Sequence, residues 1–194
     1  MMRLKASDLL SLEQYARERA AFRARVLEHK KRRQLAVGPS TTWCFEDRLT
    51  VQYQIQEMLR AERIFEPEGI AEELDAYNPL IPDGTNWKVT LLIEFPDPEE
   101  RRQRLRMLKG IERRCWVRAA GFDRVYAIAD EDLERENEEK TSSVHFLRFE
   151  LLPSMIAALK DGAALAVGVD HAQYRHAVDP VQEPVRSALI ADFA

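Results

Sequence analysis

The sequence predicts an α+β fold, a mixed, mainly antiparallel sheet with helices packed against it and a long N-terminal helix. Three observations predict it. Ser11, with Gln14 three residues later, matches a capping box ahead of a charged segment that carries one apolar stripe. Residues 87–95 are apolar on both faces, the pattern of an interior strand covered on two sides. After each of these, short apolar runs bounded by Gly, Pro or Asp alternate with helical periodicity.

The first helix is expected over 12–33, with Leu12, Tyr15, Phe22 and Val26 on its stripe and Arg19 and His29 interrupting it. The basic block "HKKRR" at its end suits the negative pole of the helix dipole. Two interruptions argue against a long coiled coil, so the first half should dock on the body while the basic second half projects. "QLAVGPSTTWCFED" reads as two strands around a Gly-Pro break. A helix over 48–65 should turn Val51, Ile55, Met58, Leu59 and Phe65 inward, and a shorter one over 68–77 should stop before Pro79. Pro82-Asp83-Gly84 fits a β-turn, so the rigid stretch "YNPLIPDGTN" reverses the chain into its most apolar strand and is also a candidate ligand-contacting loop.

Beyond it, "PDPEERRQRLRMLKG" reads as a helix with a proline in its opening and Gly110 at its end. Residues 113–119 and 124–129 form a hairpin, and an acidic loop, 130–140, leads to a strand over 143–151. A helix over 153–161, a strand over 164–169 and a last helix within "DPVQEPVRSALIADF" complete the chain.

At 194 residues the chain is expected to be one domain, a helical segment over 1–34 and an α+β body over 35–194. That length suffices to bury ~70% of the surface an unfolded chain exposes. Cys44 and Cys115 belong to no Cys-x-x-Cys pair and read as buried thiols of a cytoplasmic protein. No secretory signal is read at the start, and no apolar run approaches the roughly 18 residues of a membrane span. A net charge of −4 opposes general nucleic-acid binding. The charge is segregated, with seven bases against three acids over 99–114 and seven acids against two bases over 130–140. Such blocks form solvated faces or steer a partner.

Three constellations carry candidate chemistry. His145, His171 and His176, with Asp170, offer imidazole and carboxylate ligands for iron or zinc, although the spacing of "VDHAQYRH" matches no dedicated motif and His145 also fits a hydrogen-bonded core position. Gln52, Gln56, Glu57 and Arg60 line one flank of the second helix, either as a solvated face or as an edge that grips a carboxylate, a phosphate or a partner's backbone. Asn78 and Asp83 are the polar candidates of the proline-rich loop. The acidic stretch "ADEDLERENEEK" lacks an EF-hand pattern. Phosphate-loop, dinucleotide, hydrolase-elbow and zinc-protease signatures are absent from the sequence.

"FEDRLTVQYQIQEMLRAERIF", "EELDAYNPLIPDG", "RVYAIADEDLER", "EEKTSSVHFLRFEL" and "GVDHAQYRHAV" together resemble a bacterial family known as domain of unknown function 3501. The resemblance carries no catalytic residues. It implies an accessory role beside a rubrerythrin-like or iron–sulfur redox protein. The expectation is therefore a non-catalytic binding protein with a protein partner, no required cofactor, no nucleic acid and no membrane, a homodimer being compatible. The alternative is a metal-dependent or small-molecule enzyme with a pocket built on the three histidines.

Overall fold

Ser11 caps the first helix as its sequence predicts: its side chain accepts from Gln14 N, and Gln14 returns a bond to Ser11 N. The computed structural model describes residues 3–132, 135, 137 and 139–193. Helix α1 spans Leu12–Lys30 and leads into strands β1 (Gln34–Ala36) and β2 (Thr41–Phe45). Asp47 caps α2 (Arg48–Glu62) by accepting from Leu49 N and Thr50 N. Pro67 opens α3 (Pro67–Tyr77), and a single 3-10 turn, Asn78–Leu80, carries the chain past Pro79.

Asp83 then accepts from the Thr85 amide and hydroxyl, and Gly84 adopts φ 105°, a conformation that favours glycine. That turn delivers β3 (Asn86–Ile93). There follow α4 (Pro98–Met107), β4 (Cys115–Ala119), β5 (Val125–Tyr126), β6 (Ile128–Ala129) and β7 (Val144–Glu150). The C-terminal part adds α5 (Pro153–Lys160), β8 (Leu165–His171), β9 (Tyr174–Val178) and α6 (Val185–Ile190).

The class is α+β, and among the described residues all the strand pairs are antiparallel. The strands divide into two sheets, ordered β1-β2-β3-β7-β6 and β5-β4-β8-β9. One apolar core joins them, with Trp43, Phe45, Trp87, Val89, Leu91 and Phe149 from the first sheet against Cys115, Val117, Leu165 and Val167 from the second. The segment holding β5 and β6 passes from one sheet to the other, so the expected hairpin pairs only as far as Tyr126. On the opposite side Tyr174 donates to Val37 O at 2.9 Å and accepts from Ser40 N at 2.9 Å, linking the β9 edge to the β1–β2 turn.

Helices α1 and α3 both pack on α2, which is tied to the first sheet. Val51, Ile55 and Leu59 of α2 pack with Leu74, Ile81 and Leu4, while Tyr15, Phe22 and Val26 of α1 pack on Tyr53 and Leu49. Buried Glu46 ties α2 to β3, accepting from Thr50 Oγ1 at 2.5 Å and Thr90 Oγ1 at 2.7 Å. No helix among the described residues is long and apolar enough to cross a membrane.

Two expectations are corrected. Phe65 is 67% exposed, because α2 ends at Arg63 in a left-handed conformation before reaching it. The second half of α1 does not project: His29 meets Asp47 at 2.5 Å and Arg33 is 3% exposed. His171 and His176 lie on the β8–β9 hairpin, β9 extending beyond the strand expected over 164–169. The last helix, expected within 179–193, spans Val185–Ile190.

Candidate ligand-binding pocket

Strand β3 alternates strictly. Trp87, Val89, Leu91 and Ile93 enter the core, which turns Lys88, Thr90 and Leu92 toward the helices. The helical layer does not close over Lys88. A cavity of about 410 Å³ remains there. Its floor is Lys88 of β3 with Phe146 and Arg148 of β7. Met58 of α2, Glu73, Ala76 and Tyr77 of α3, and Pro79 and Leu80 of the 3-10 turn form the facing wall. Glu131, Asp132 and Arg135 form the rim.

Lys88 and Arg148 are cross-strand partners and share this face. Arg148 is paired with two carboxylates: Nε and Nη2 donate to the two carboxylate oxygens of Glu131, each at 2.8 Å, and Nη1 donates to Glu150 at 2.8 Å. These bonds hold the Arg148 guanidinium more firmly protonated and draw Glu131 below the usual carboxylate range. Lys88 is treated differently. Its side chain is half-buried, and its ammonium makes no hydrogen bond or ion pair with any described residue. Burial lowers its pKa from the ordinary value, and the neighbouring Arg148 charge lowers it further.

At the helical end of the cavity the shifts run the other way. Burial raises Tyr77, assisted by Glu73, and burial with the charges of Glu62 and Glu72 raises Glu73. One turn before Met58, Gln54 holds a buried Oε1 that accepts no hydrogen bond from a described residue. The cavity thus combines an apolar wall, an amine whose pKa is lowered from its ordinary value, and two acids whose pKa values are raised from theirs.

The residues singled out in the sequence lie elsewhere. Gln52 donates to Asp8 O at 2.6 Å, and Gln56 both accepts from Leu10 N at 2.6 Å and donates to Leu10 O at 3.2 Å. Glu57 accepts from Tyr15 and from two nitrogens of Arg19, and Arg60 is exposed beyond it. The polar edge of α2 therefore grips backbone, but that of this chain's own N-terminal segment. Asn78 does the same with Leu4, accepting from its N at 2.8 Å and donating to its O at 3.0 Å. Asp83 is spent on its turn.

The histidines do not converge. His145 is fully buried in the first sheet, with Nδ1 2.6 Å from Asp130 and Nε2 2.9 Å from Thr141 Oγ1. That Asp–His–hydroxyl line has the order of a hydrolase triad, but both His145 and Thr141 are sealed from solvent. His171 bonds Lys109 O at 3.0 Å, His176 packs on the Tyr174 ring, and Asp170 pairs with Arg124 and Arg175. Among the described residues no group of three or more His, Cys, Asp or Glu side chains is placed to hold a metal ion.

Sequence reasoning passed over Lys88, Tyr77, Arg148 and Phe146 because they come from three separate elements. One signal was present. Lys88 is the single charged residue within the apolar strand Asn86–Ile93, where charge is costly unless it is used.

Comparison with known proteins bears on the whole chain. A crystal structure described as a novel protein of unknown function from Burkholderia pseudomallei K96243 is 49% identical, covers 100% of both chains and superposes with a TM-score of 0.94. No curated protein matches. The sequence model of the family "Protein of unknown function (DUF3501)" matches residues 3–193, and the chain belongs to that family.

Proposed function

We propose that this protein binds a small molecule with an apolar body and one electron-rich oxygen group, a carboxylate or a carbonyl, in the cavity above Lys88. The observation that supports the reading is the half-buried Lys88 ammonium, without a hydrogen-bond or ion-pair partner among the described residues, beside an Arg148 whose two carboxylates are already spent. A buried charge without a partner costs stability, and the sheet needs no charge at that position. Met58, Leu80 and Phe146 supply the apolar surface. The volume falls at the lower end of the roughly 300–1,000 Å³ of small-molecule sites.

This is a non-catalytic binding role in a cytoplasmic protein, with Cys44 and Cys115 kept as buried thiols. Partnership with a rubrerythrin-like or iron–sulfur redox protein rests on the family resemblance and stands beside the cavity, not on it. A histidine-built metal enzyme draws no support from the separated positions of His145, His171 and His176.

Hexanoate is a suitable probe, with isothermal titration calorimetry and thermal melts as readouts. Binding should raise Tm in proportion to ligand excess, and Lys88→Met should abolish both the heat and the shift. Absence of heat and shift from the folded protein at about a hundredfold excess over a millimolar Kd would overturn the reading.

A further inference from the structure

We infer that Lys88 is a reactive amine that condenses with an aldehyde or ketone ligand in this cavity to form a Schiff base. The inference rests on the binding reading above and names the class of ligand. Its geometric basis is the distribution of charge around the amine. Of the acids near Lys88, Glu131 and Glu150 are bonded to Arg148, Asp83 is bonded to Thr85, and no carboxylate of a described residue lies within ion-pair distance of Nζ. A lysine kept only for its charge would be expected to hold one of them. Instead the cross-strand neighbour is a permanent cation, an arrangement that activates amine nucleophiles. Burial acts in the same direction.

The step balances without an external oxidant or reductant. The Lys88 nitrogen lone pair attacks the carbonyl carbon, a C–N bond forms, and the π electrons move to oxygen, which takes up a proton as the nitrogen releases one and regains its lone pair. The carbinolamine then loses its hydroxyl as water while the nitrogen lone pair makes the C=N bond. Water departure needs an acid. Tyr77 lines the same cavity, and its phenol, whose pKa burial raises from the ordinary value, carries a proton at neutral pH. Apolar neighbours such as Met58 and Phe146 restrict the water that would hydrolyse the imine.

The test treats the folded protein with hexanal and cyanoborohydride at neutral pH, followed by peptide mapping. One hexyl group per chain is expected on Lys88, at aldehyde concentrations that leave exposed Lys5 and Lys31 unlabelled. The labelling rate of Lys88 should reach half-maximum at lower pH than that of Lys31. Lys88→Arg, which keeps the charge, should lose the preferential label. Labelling spread over surface lysines with no preference for Lys88 would overturn the inference. If hexanoate binds but hexanal leaves Lys88 unlabelled, the Schiff base falls and the binding reading stands. If neither probe engages the cavity, both fall.

Discussion

Arg33 and Asp192, 159 positions apart in sequence, form a buried ion pair with Nη2 2.6 Å from Oδ2. The same guanidinium donates to Phe45 O, Glu46 O and Ala188 O, so the last residue of the basic block clamps β2 to the C-terminal segment. Burial pushes the Asp192 carboxyl up while Arg33 pulls it back down.

Asp192→Ala should therefore cost about 3 kcal/mol, because it leaves the buried Arg33 charge with carbonyl partners and the longer 3.3 Å contact to Asp47. Adding Arg33→Met should restore part of that loss. Urea denaturation of the single and double variants measures the coupling, and purely additive losses would show that the two residues do not act as a pair.

The contact of α1 with α2 should be acid-sensitive. Hydrogen bonds from Arg19, reinforced by Tyr15, hold Glu57 down to about 2 against an ordinary 4.5. A depressed carboxylate contributes stability that is present above its unfolded value and is lost as pH falls through its folded value. Glu57→Gln should lose stability at neutral pH and show a flatter decline between about pH 4.5 and 2 than the parent. Partial exposure and solvent screening limit the difference to about 1 kcal/mol. Parallel stability–pH curves for the two proteins would refute the assignment.

Gly168 faces Trp116 directly across β8 and β4, and a Cβ there would lie 2.4 Å from Trp116 Cζ2 and 2.8 Å from the His176 carbonyl oxygen. Arg124 covers the indole from outside at 4.3 Å, so the ring has little room to retreat. Gly168→Ala should cost about 1–3 kcal/mol by overpacking and alter tryptophan fluorescence. An unchanged melt with an unchanged emission spectrum would show that the ring moves freely.

Lys88→Met should raise Tm in the absence of ligand. The substitution removes a half-buried charge that has no ion-pair partner among the described residues and nearly keeps the volume of the side chain. The sign follows from linkage: with its folded pKa lowered, Lys88 binds fewer protons folded than unfolded at alkaline pH, so the parent should gain stability there and the variant should not. A variant less stable than the parent at neutral pH would mean that Lys88 serves the fold and not a ligand.

By itself the sequence determined what short-range physics controls. The Ser11 cap, the Pro79 stop and the turn at Gly84 each depend on residues within a few positions of one another, and each is found where its residues predict. Strict alternation likewise placed Val89, Leu91 and Ile93 on one face of β3. Other features depended on partners far along the chain. Nothing local distinguishes Arg33, which is buried against Asp192, from its neighbour Lys31, which pairs on the surface with Glu28. The glutamines of α2 looked like a free binding edge because the backbone they hold, near Asp8 and Leu10, lies more than 40 positions earlier. The division into two sheets followed from β5 and β6 choosing different partners within five residues, and β9 was hidden in a polar run that only β8 makes into a strand. The cavity, too, belongs to the tertiary structure. Lys88 acquires its lowered pKa from the packing of α2 and α3 and from a cross-strand arginine 60 positions away, long-range terms that no window of sequence contains.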